Sequence, residues 1–396
     1  MALTSETDRD ARGAASDAPL PRAAYLHVPF CRHRCGYCNF TLLAGRDDLV
    51  GAYLDALEIE LSGIVGTAGN GGPHEIDTLF LGGGTPTHLP LADLARLMQI
   101  VRRHFSLAAG YEWSIEANPL DLTADKLQCL AEAGVTRISI GAQSFNRAKL
   151  AVLERDHAPQ DVTAAVERAR AVAEVSLDLI FGVPGETGRV WGADLDKTLA
   201  LGVDHVSTYG LTFERGAAFW SRREKGDLAE VGEELERQLY LAGIERLTAA
   251  GLEHYEVSNF ARPGHRCRHN ETYWRGDGYY AAGPGAASYV AGERRMNHRS
   301  TTTYIRRVLA GRSPIAEVEM LSRPARAREL LVFALRRIEG VERNWFFERS
   351  GYKLDELVGP ELSRLVALGM LSDDGARVRL TREGLLVSDS IWPSLL

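Results

Sequence analysis

Short apolar runs rich in β-branched residues alternate with longer amphipathic segments over residues 22–212. In the longer segments, apolar side chains recur every three or four positions, which is typical of helices with one buried face. Strands that alternate with helices predict a parallel sheet of the α/β class. The predicted strands are 24–28, 78–81, 113–116, 137–140, 175–181 and 205–210, and the predicted helices are 49–65, 91–105, 124–133, 160–172 and 190–201. Gly134 and Gly202 are expected to cap two of these helices at their C-termini.

The unusual loops all lie at or near the carboxyl ends of predicted strands. In repeated βα units these ends converge on one side of the sheet, and functional residues collect there. We therefore expect a single mouth to gather the following segments in chain order: the cysteine-containing segment 31–38, then Gly82, Gly83, Gly84 and Thr85, then Glu116, the segment 141–145, Asp178 and Gly210.

The rest of the chain divides into segments of different character. Residues 1–21 have almost no large apolar side chains and are expected to form a disordered tail. Residues 22–212 form the predicted core, 213–319 an irregular extension, and 320–396 a separate unit. In that last unit, helical segments at 328–337, 345–350 and 360–368, a turn at 373–375 and a β-like run at 377–380 predict a winged-helix-like domain. The segment 354–389 lacks a basic stripe, which argues against a DNA-binding regulator.

Composition narrows the range of partners. The formal net charge is -7 and the pI is about 5.9, so the chain has no overall attraction for nucleic acid, and any membrane contact would be peripheral. No run of about 18 apolar residues marks a membrane span. Five cysteines do not make an even disulfide framework, and clustered thiols need reducing surroundings. We expect a cytoplasmic protein, and the oligomeric state stays open.

Three cysteines lie within eight residues, at Cys31, Cys35 and Cys38. Iron–sulfur cubanes usually take four thiolates, so a compact group of three predicts a cluster with one iron open to an exchangeable ligand. A zinc knuckle or buried thiols are the alternatives. Zinc pairs, however, normally come as C-x2-C with a second pair of ligands far downstream.

These residues and their surroundings resemble the radical S-adenosylmethionine superfamily and, within it, the coproporphyrinogen III oxidase-like branch. The resemblance rests on the segments 25–31, 82–87 and 141–145 and on the cysteine spacing. It implies an open (β/α)6 partial TIM-type barrel and a 4Fe-4S cluster whose open iron chelates S-adenosylmethionine. It also implies a reductant, because an electron from the cluster can cleave S-adenosylmethionine to methionine and a 5′-deoxyadenosyl radical.

The same resemblance assigns a binding pocket for S-adenosylmethionine. Three glycines in a row let the backbone approach a ligand closely, and their amide donors would suit its amino-acid part. Tyr37, between two of the cysteines, would cover the cluster or the adenine, with a core aromatic as the alternative. The residues that the resemblance implies for this pocket are Tyr25, Tyr37, Gly83, Gly84, Thr85, Glu116, Gln143, Arg155, Asp178 and Gly210.

The branch contains two groups of proteins whose sequences differ at two places, and this chain can be compared with both groups there. The oxygen-independent coproporphyrinogen III oxidases carry a further cysteine two residues after the third, where this chain has Phe40. The heme chaperones carry a His-Asn-x-x-Tyr-Trp element, which stands here at His269, Asn270, Tyr273 and Trp274. The resemblance thus implies a protein that binds heme and delivers it to acceptor proteins. The alternative is a coproporphyrinogen III oxidase of heme biosynthesis, and whether S-adenosylmethionine cleavage serves any reaction stays open.

The residues expected to bind heme also have an ordinary structural interpretation. Imidazole can ligate iron and aromatic rings can lie against a porphyrin. By spacing alone, however, a satisfied turn histidine followed by two core aromatics is the preferred explanation, and only the resemblance favours heme. Ala287 stands where related sequences commonly have histidine. Nine arginines between Arg294 and Arg328 form a basic patch that could pair with heme propionates, or could be a solvated face.

Overall fold

A computed structural model of the protein describes residues 20–67 and 73–396. The predicted tail at 1–21 therefore lies almost entirely outside the described residues. The first and larger part of the structure is built from short strands separated by helices. Its strands are β1 Ala23–Val28, β2 Phe30–Cys31, β3 Leu43–Ala44, β4 His74–Gly83, β5 Phe105–Ala117, β6 Arg137–Gln143, β7 Glu174–Phe181, β8 His205–Gly210, β9 Glu253–Glu256, β10 Asn259–Ala261 and β11 Tyr280–Ala282.

The helices of this part lie between or after these strands. They are α1 Val50–Thr67, α2 Leu91–His104, α3 Ala124–Ala133, α4 Arg147–Val152, α5 Pro159–Ala169, α6 Gly188–Leu201, α7 Ala218–Glu224, α8 Glu233–Ala249 and α9 Arg268–Trp274. The predicted C-caps are confirmed: Gly134 and Gly202 adopt left-handed backbone conformations, with φ of 92° and 62°. Only glycine adopts this conformation at little cost, which is why both helices end there.

The predicted parallel sheet is confirmed. The six expected strands lie side by side in the order β1-β4-β5-β6-β7-β8, and each neighbouring pair is parallel. The strands are buried along most of their length, as expected for a sheet covered by helices. Large side chains such as Trp113 and Leu57 are fully buried in the core between sheet and helices.

The sheet also contains three strands that the sequence pattern did not predict. β11 lies parallel to β1 at one edge, and β10 and β9 continue the sheet antiparallel beyond β8 at the other. Each of them has only three or four residues. Runs of this length do not show a period, and β11 lies in a glycine-rich stretch that reads as loop.

The second part of the chain forms a small sheet and then a compact C-terminal domain. The small antiparallel sheet contains β12 Ala287–Val290, β13 Glu293–Asn297 and β14 Ile315–Met320, and α10 Thr301–Leu309 lies between its last two strands in sequence. The C-terminal domain contains α11 Arg323–Leu335, β15 Val341–Glu342, α12 Arg343–Ser350, α13 Leu354–Ala367, β16 Leu371–Asp373, β17 Arg377–Leu380, α14 Arg382–Leu386 and α15 Ser388–Leu395.

The C-terminal domain has the winged-helix-like arrangement that the sequence predicts. Its strands pair antiparallel in the order β15-β17-β16, and its helices share a hydrophobic core of their own. α11 begins earlier than predicted because Ser322 caps it and accepts a hydrogen bond from the Ala325 amide. α13 also begins earlier, with a break at Val358, two residues before Pro360. None of the helices in the described residues is long and apolar enough to cross a bilayer.

Backbone hydrogen bonds join the C-terminal domain to the barrel. The Val257 amide donates to the carbonyl of Arg336, and the Ile338 amide donates to the carbonyl of Tyr255, each over 3.1 Å. The Arg336 guanidinium also lies 4.5 Å from the ring centre of Trp274 on α9. The C-terminal domain is therefore packed directly against the helix that carries part of the candidate site.

A buried ion cluster supports the loop after β6. The Lys149 ammonium donates hydrogen bonds to the carboxylates of Glu186 and Asp194, and all three side chains are buried. Asp194 also accepts from the Ser144 hydroxyl and from the Phe145 amide, each over 2.7 Å. This arrangement holds the loop that follows Gln143, whose backbone is left-handed with φ of 62°.

We expect Lys149→Met to destabilise the protein by about 3–5 kcal/mol, because it would leave two buried carboxylates without a counter-ion. The matched control is Arg246→Ala, which breaks an exposed ion pair with Asp196 and should cost less than about 1 kcal/mol. Urea unfolding of both variants measures the difference. Equal losses would show that the buried cluster carries no special stability.

Candidate functional site

Cys31 ends β2, next to the carboxyl end of β1, and Cys35 and Cys38 lie on the loop that leads from it to β3. β2 and β3 pair in parallel and close the base of this loop, and the Cys38 amide donates to the Cys35 carbonyl over 3.0 Å. All three thiols are free. Burial raises the pKa of Cys31 to about 12, and the neighbouring Cys38 and Cys35 thiols add to that rise. The three cysteines, which are close in sequence, therefore also lie close enough in space for the charge on one thiol to affect another.

Arg155 places a positive charge beside one of these thiols. Its guanidinium donates to the Cys35 sulfur over 3.6 Å and to the Gly141 carbonyl over 3.0 Å. The Nε atom of the same side chain is buried and has no hydrogen-bond partner. An unpaired donor of a buried cation beside three thiols marks a place where an anion is expected.

The three thiols fit an iron–sulfur cluster better than a single metal ion. Within residues 20–67 and 73–396, no three Cys, His, Asp or Glu side chains converge on one ion position. In a cubane each thiolate binds a different iron, so the sulfur atoms need to surround the cluster and not one point. A zinc site would require four ligands arranged as a tetrahedron around one ion, and these residues contain no such group.

The glycine loop after β4 lies against the cysteine loop. The Gly84 amide donates to the Val28 carbonyl and the Thr85 amide to the Phe30 carbonyl, each over 2.8 Å. A Cβ atom at Gly84 would come within 2.7 Å of both carbonyl oxygens, so no other residue fits there. The Thr85 hydroxyl lies 3.3 Å from the Cys31 sulfur. The two loops are therefore fixed to each other.

One expectation about the glycine loop is wrong in detail. We expected its amides to be donors for a ligand, but those of Gly84 and Thr85 already bond to carbonyls near the end of β1. The Gly83 amide donates to the Glu116 carboxylate over 2.8 Å. The parallel hydrogen-bond ladder simply continues into the loop and uses these donors. Glu116, which only the Gly83 amide holds among these donors, becomes the candidate contact for a ligand.

Two half-buried carboxyl groups lie on β5 and β7, on either side of β6: Glu116 is near the end of β5, and Asp178 lies within β7. Burial raises the pKa of Glu116 to about 8 and that of Asp178 to about 6, and the nearby Asp178 also raises the pKa of Glu116. Asp178 accepts a hydrogen bond from the Ser139 hydroxyl over 3.0 Å. A buried carboxyl group with a raised pKa gains stabilisation when a cation binds beside it. The pair can therefore respond to a cationic ligand.

Three further residues expected to bind S-adenosylmethionine, Tyr25, Gln143 and Gly210, lie on strands of the same sheet. The Tyr25 hydroxyl lies 3.1 Å from Nδ1 of His27, and its ring stacks on Phe80. Gly210 ends β8, and Gln143 ends β6. Their roles in binding S-adenosylmethionine stay predictions.

Tyr37 is packed as a core aromatic residue, which is the alternative to a role in covering the cluster or the adenine. Its ring packs edge-on against Phe219 and lies in a small apolar cluster with Leu153, Ile180 and Val183. Burial raises the pKa of its hydroxyl. The ring thus helps to hold the cysteine loop against α7.

A cavity of about 210 Å³ opens inside the barrel beside Glu116 and Asp178. It brings together two sets of residues that the sequence analysis kept apart. The residues expected to bind S-adenosylmethionine that line it are Tyr25, Glu116 and Asp178, and the residues expected to bind heme are His269, Asn270 and Tyr273. Sequence patterns do not indicate that the two sets share a cavity, because the sets are separated by more than ninety positions along the chain.

His269 is enclosed in the barrel with both ring nitrogens engaged. Nδ1 lies 3.1 Å from the Thr78 hydroxyl, and Nε2 lies 2.8 Å from the Tyr273 hydroxyl. Burial lowers the pKa of His269 to about 3, so the ring is neutral. An iron atom could bind Nε2 only after the bond to Tyr273 was broken. This is the geometry of the satisfied histidine that spacing alone suggested.

Trp274 lies on a different side of α9. It is absent from the residues that line the barrel cavity and instead contacts Arg336 and Phe333 of the C-terminal domain. The four residues expected to form one heme element are therefore divided between the barrel interior and a domain contact.

The floor of the cavity contains polar residues that the sequence analysis missed. Arg137 is buried, pairs with Glu174 over 2.9 Å, and has two nitrogens without partners. His205 lies 2.7 Å from the Tyr255 hydroxyl and 2.8 Å from the Ser176 hydroxyl. Both Arg137 and His205 begin strands buried on both faces, where no alternation of polar and apolar residues distinguishes an inward side chain. No motif marks them.

Two family patterns match the chain. The Radical SAM superfamily pattern covers residues 25–197, and the HemN C-terminal domain pattern covers residues 321–387. Among solved structures, coproporphyrinogen III oxidase (HemN) from Escherichia coli superposes with a TM-score of 0.84, over 97% of this chain and 92% of that one, at 22% identity. At this level of identity the match shows the fold.

Relatives of known name align along almost the whole chain. Heme chaperone HemW of Bacillus subtilis is 34% identical over 95% of this chain and 99% of its own length. Heme chaperone HemW of Mycobacterium tuberculosis is 38% identical over 96% of each. A mitochondrial radical S-adenosyl methionine domain-containing protein 1 of Bos taurus is 33% identical over 100% of this chain and 92% of its own. Family membership implies a 4Fe-4S cluster, S-adenosylmethionine and a reductant, and the chain belongs to the radical SAM superfamily, in the family of the proteins named heme chaperone HemW.

Proposed function

We propose that this protein is a heme chaperone, which binds heme and passes it to acceptor proteins. The observation that carries the proposal is the alignment with proteins of that name over 95% or more of this chain and nearly all of theirs. Such an alignment includes the cysteine loop, the barrel and the C-terminal domain together. The residue at position 40 supports the same choice, because a phenylalanine cannot replace the further cysteine of the oxidases as a thiolate.

The cysteine loop and Arg155 would hold the cluster. Cys31, Cys35 and Cys38 supply three thiolates, and the buried guanidinium supplies a positive charge with one free donor beside them. Because burial raises the pKa of Cys31, metal binding there displaces a proton. When bound, the cluster supplies an electron and an open iron position for S-adenosylmethionine.

Glu116 and Asp178 would position S-adenosylmethionine in the barrel mouth. The Gly83 amide orients one oxygen of Glu116, and the Ser139 hydroxyl orients Asp178. A carboxylate at Glu116 can accept hydrogen bonds from an ammonium group, and one at Asp178 can accept from ribose hydroxyls. The raised pKa of each group falls when a cation binds, so binding releases protons near neutral pH.

The proposed function predicts hemin binding without porphyrinogen turnover. Titration of the reconstituted protein with hemin should shift the Soret band and saturate. Anaerobic incubation with coproporphyrinogen III, S-adenosylmethionine and a reductant should give no protoporphyrinogen IX above the level of a protein-free control. Robust turnover would instead establish the oxidase alternative, and absence of saturable hemin binding would remove the chaperone proposal.

Glu116→Gln should have opposite effects on stability and on ligand binding. The folded protein holds a proton on Glu116 between the ordinary pKa of 4.5 and about 8, so stability is lost as pH rises through that range. Glutamine does not titrate, so the variant should be more stable than the parent by more than about 1 kcal/mol at pH 9 and not at pH 5. Its affinity for S-adenosylmethionine should fall about tenfold, since it loses a charge-assisted hydrogen bond.

Urea unfolding at the two pH values and calorimetric titration with S-adenosylmethionine measure these effects. Ser139→Ala is the control, because it removes a hydrogen bond at Asp178 without touching Glu116. Unchanged affinity in Glu116→Gln would separate this carboxyl group from the ligand. Equal stability of parent and variant at pH 9 would contradict the prediction that ionised Glu116 destabilises the folded protein.

A further inference from the structure

A second cavity lies on the protein surface beside the cysteine loop. It has a volume of about 340 Å³ and lies between the loop after Cys38 and the start of α10. We call it the Phe40 groove, after the exposed ring on its wall. The residues of its wall that matter here are Arg34, Phe40, Thr41, Leu42 and Arg299.

Two arginines of the groove carry a positive charge that no acid compensates. Arg34 donates to the carbonyls of Cys38, Phe40 and Leu42, and Arg299 donates to the Asn39 carbonyl and the Thr41 hydroxyl. In the described part of the chain neither guanidinium pairs with a carboxylate, and no Asp or Glu lines the groove. The neutral contacts of Arg299 leave some of its N–H donors free. The groove therefore attracts an anion.

Phe40 gives the same groove an exposed apolar wall. Its side chain is 57% exposed, although it follows directly on the cysteine loop. An exposed aromatic ring beside uncompensated arginines suits a ligand that combines carboxylates with a flat apolar body. Heme has this combination, with two propionates on one edge of a planar ring.

The barrel cavity suits heme less well. Its volume of about 210 Å³ lies below the range of about 300–1,000 Å³ that small-molecule sites usually have. Asp178, with a pKa of about 6, lines it, and its ionised form would repel propionates at neutral pH. The cation of the same cavity, Arg137, is already paired with Glu174. The nitrogens of His269 are already bonded to Thr78 and Tyr273.

We propose that the Phe40 groove is the docking site for heme, with the propionates on Arg299 and Arg34 and the ring against Phe40. This inference rests on the proposed function, because it names the surface on which the proposed chaperone binds heme. A groove of this size holds one edge of the tetrapyrrole and leaves the opposite edge open to an acceptor protein. It also gives one of the nine arginines in the basic patch, Arg299, a ligand.

The test compares the groove with the barrel histidine in the full-length, cluster-reconstituted protein. Hemin is followed by Soret absorbance, and metal-free protoporphyrin IX by fluorescence. Arg299→Gln and Phe40→Ser should each weaken the binding of both porphyrins by about tenfold. Arg299→Lys should restore part of the loss, because it keeps the charge. Arg364→Gln, an exposed arginine on α13 outside the groove and the basic patch, is the matched control and should bind as the parent does.

The outcomes separate the site from the function. His269→Ala should leave both affinities within about twofold of the parent, and iron–sulfur absorbance confirms that each variant keeps its cluster. Weakened hemin binding in His269→Ala together with unchanged binding in Arg299→Gln and Phe40→Ser would overturn the groove while leaving the chaperone function in place. Binding of hemin but not of metal-free protoporphyrin IX would also overturn it, because this site recognises propionates and ring. No binding of hemin by the parent would remove the function and the site together.

Discussion

The hydrogen-bond ladder between β1 and β4 determines how the rest of the site is arranged. These two strands run in parallel, and the ladder does not stop at the end of the sheet but continues through Gly84 and Thr85 to the carbonyls of Val28 and Phe30. The cysteine loop begins at this point. Any change in the register of the two strands would move the thiols relative to Glu116, which the Gly83 amide holds on the other side.

Much of the fold could be predicted because it follows from short-range patterns. The six parallel strands and the helices between them alternate with clear periods, and glycines end two of the helices where the backbone turns left-handed. The cysteine spacing and the glycine loop were recognisable because their residues are adjacent in sequence. Strands β9, β10 and β11 were missed because each is too short to show a period.

The parts of the site that depend on long-range contacts could not be predicted. Arg155 lies beside Cys35 although 120 positions separate them, and only the fold brings them together. The sequence suggested that the glycine amides were free, whereas the Gly83 amide bonds to Glu116 and the Gly84 amide to the Val28 carbonyl. His269 and Trp274 belong to one motif, yet they lie on different sides of a short helix and contact different domains. A motif records which residues occur together but not the direction in which each side chain points.

The position of α9 couples the two halves of the protein. One side of this helix closes the barrel cavity with His269 and Tyr273, and the other side places Trp274 under Arg336 of the C-terminal domain. A barrel cut free of that domain would keep this helix but lose the contacts that Arg336 and Phe333 make with Trp274. The winged-helix-like unit lines no part of the cavity itself, yet it supports from outside the helix that does.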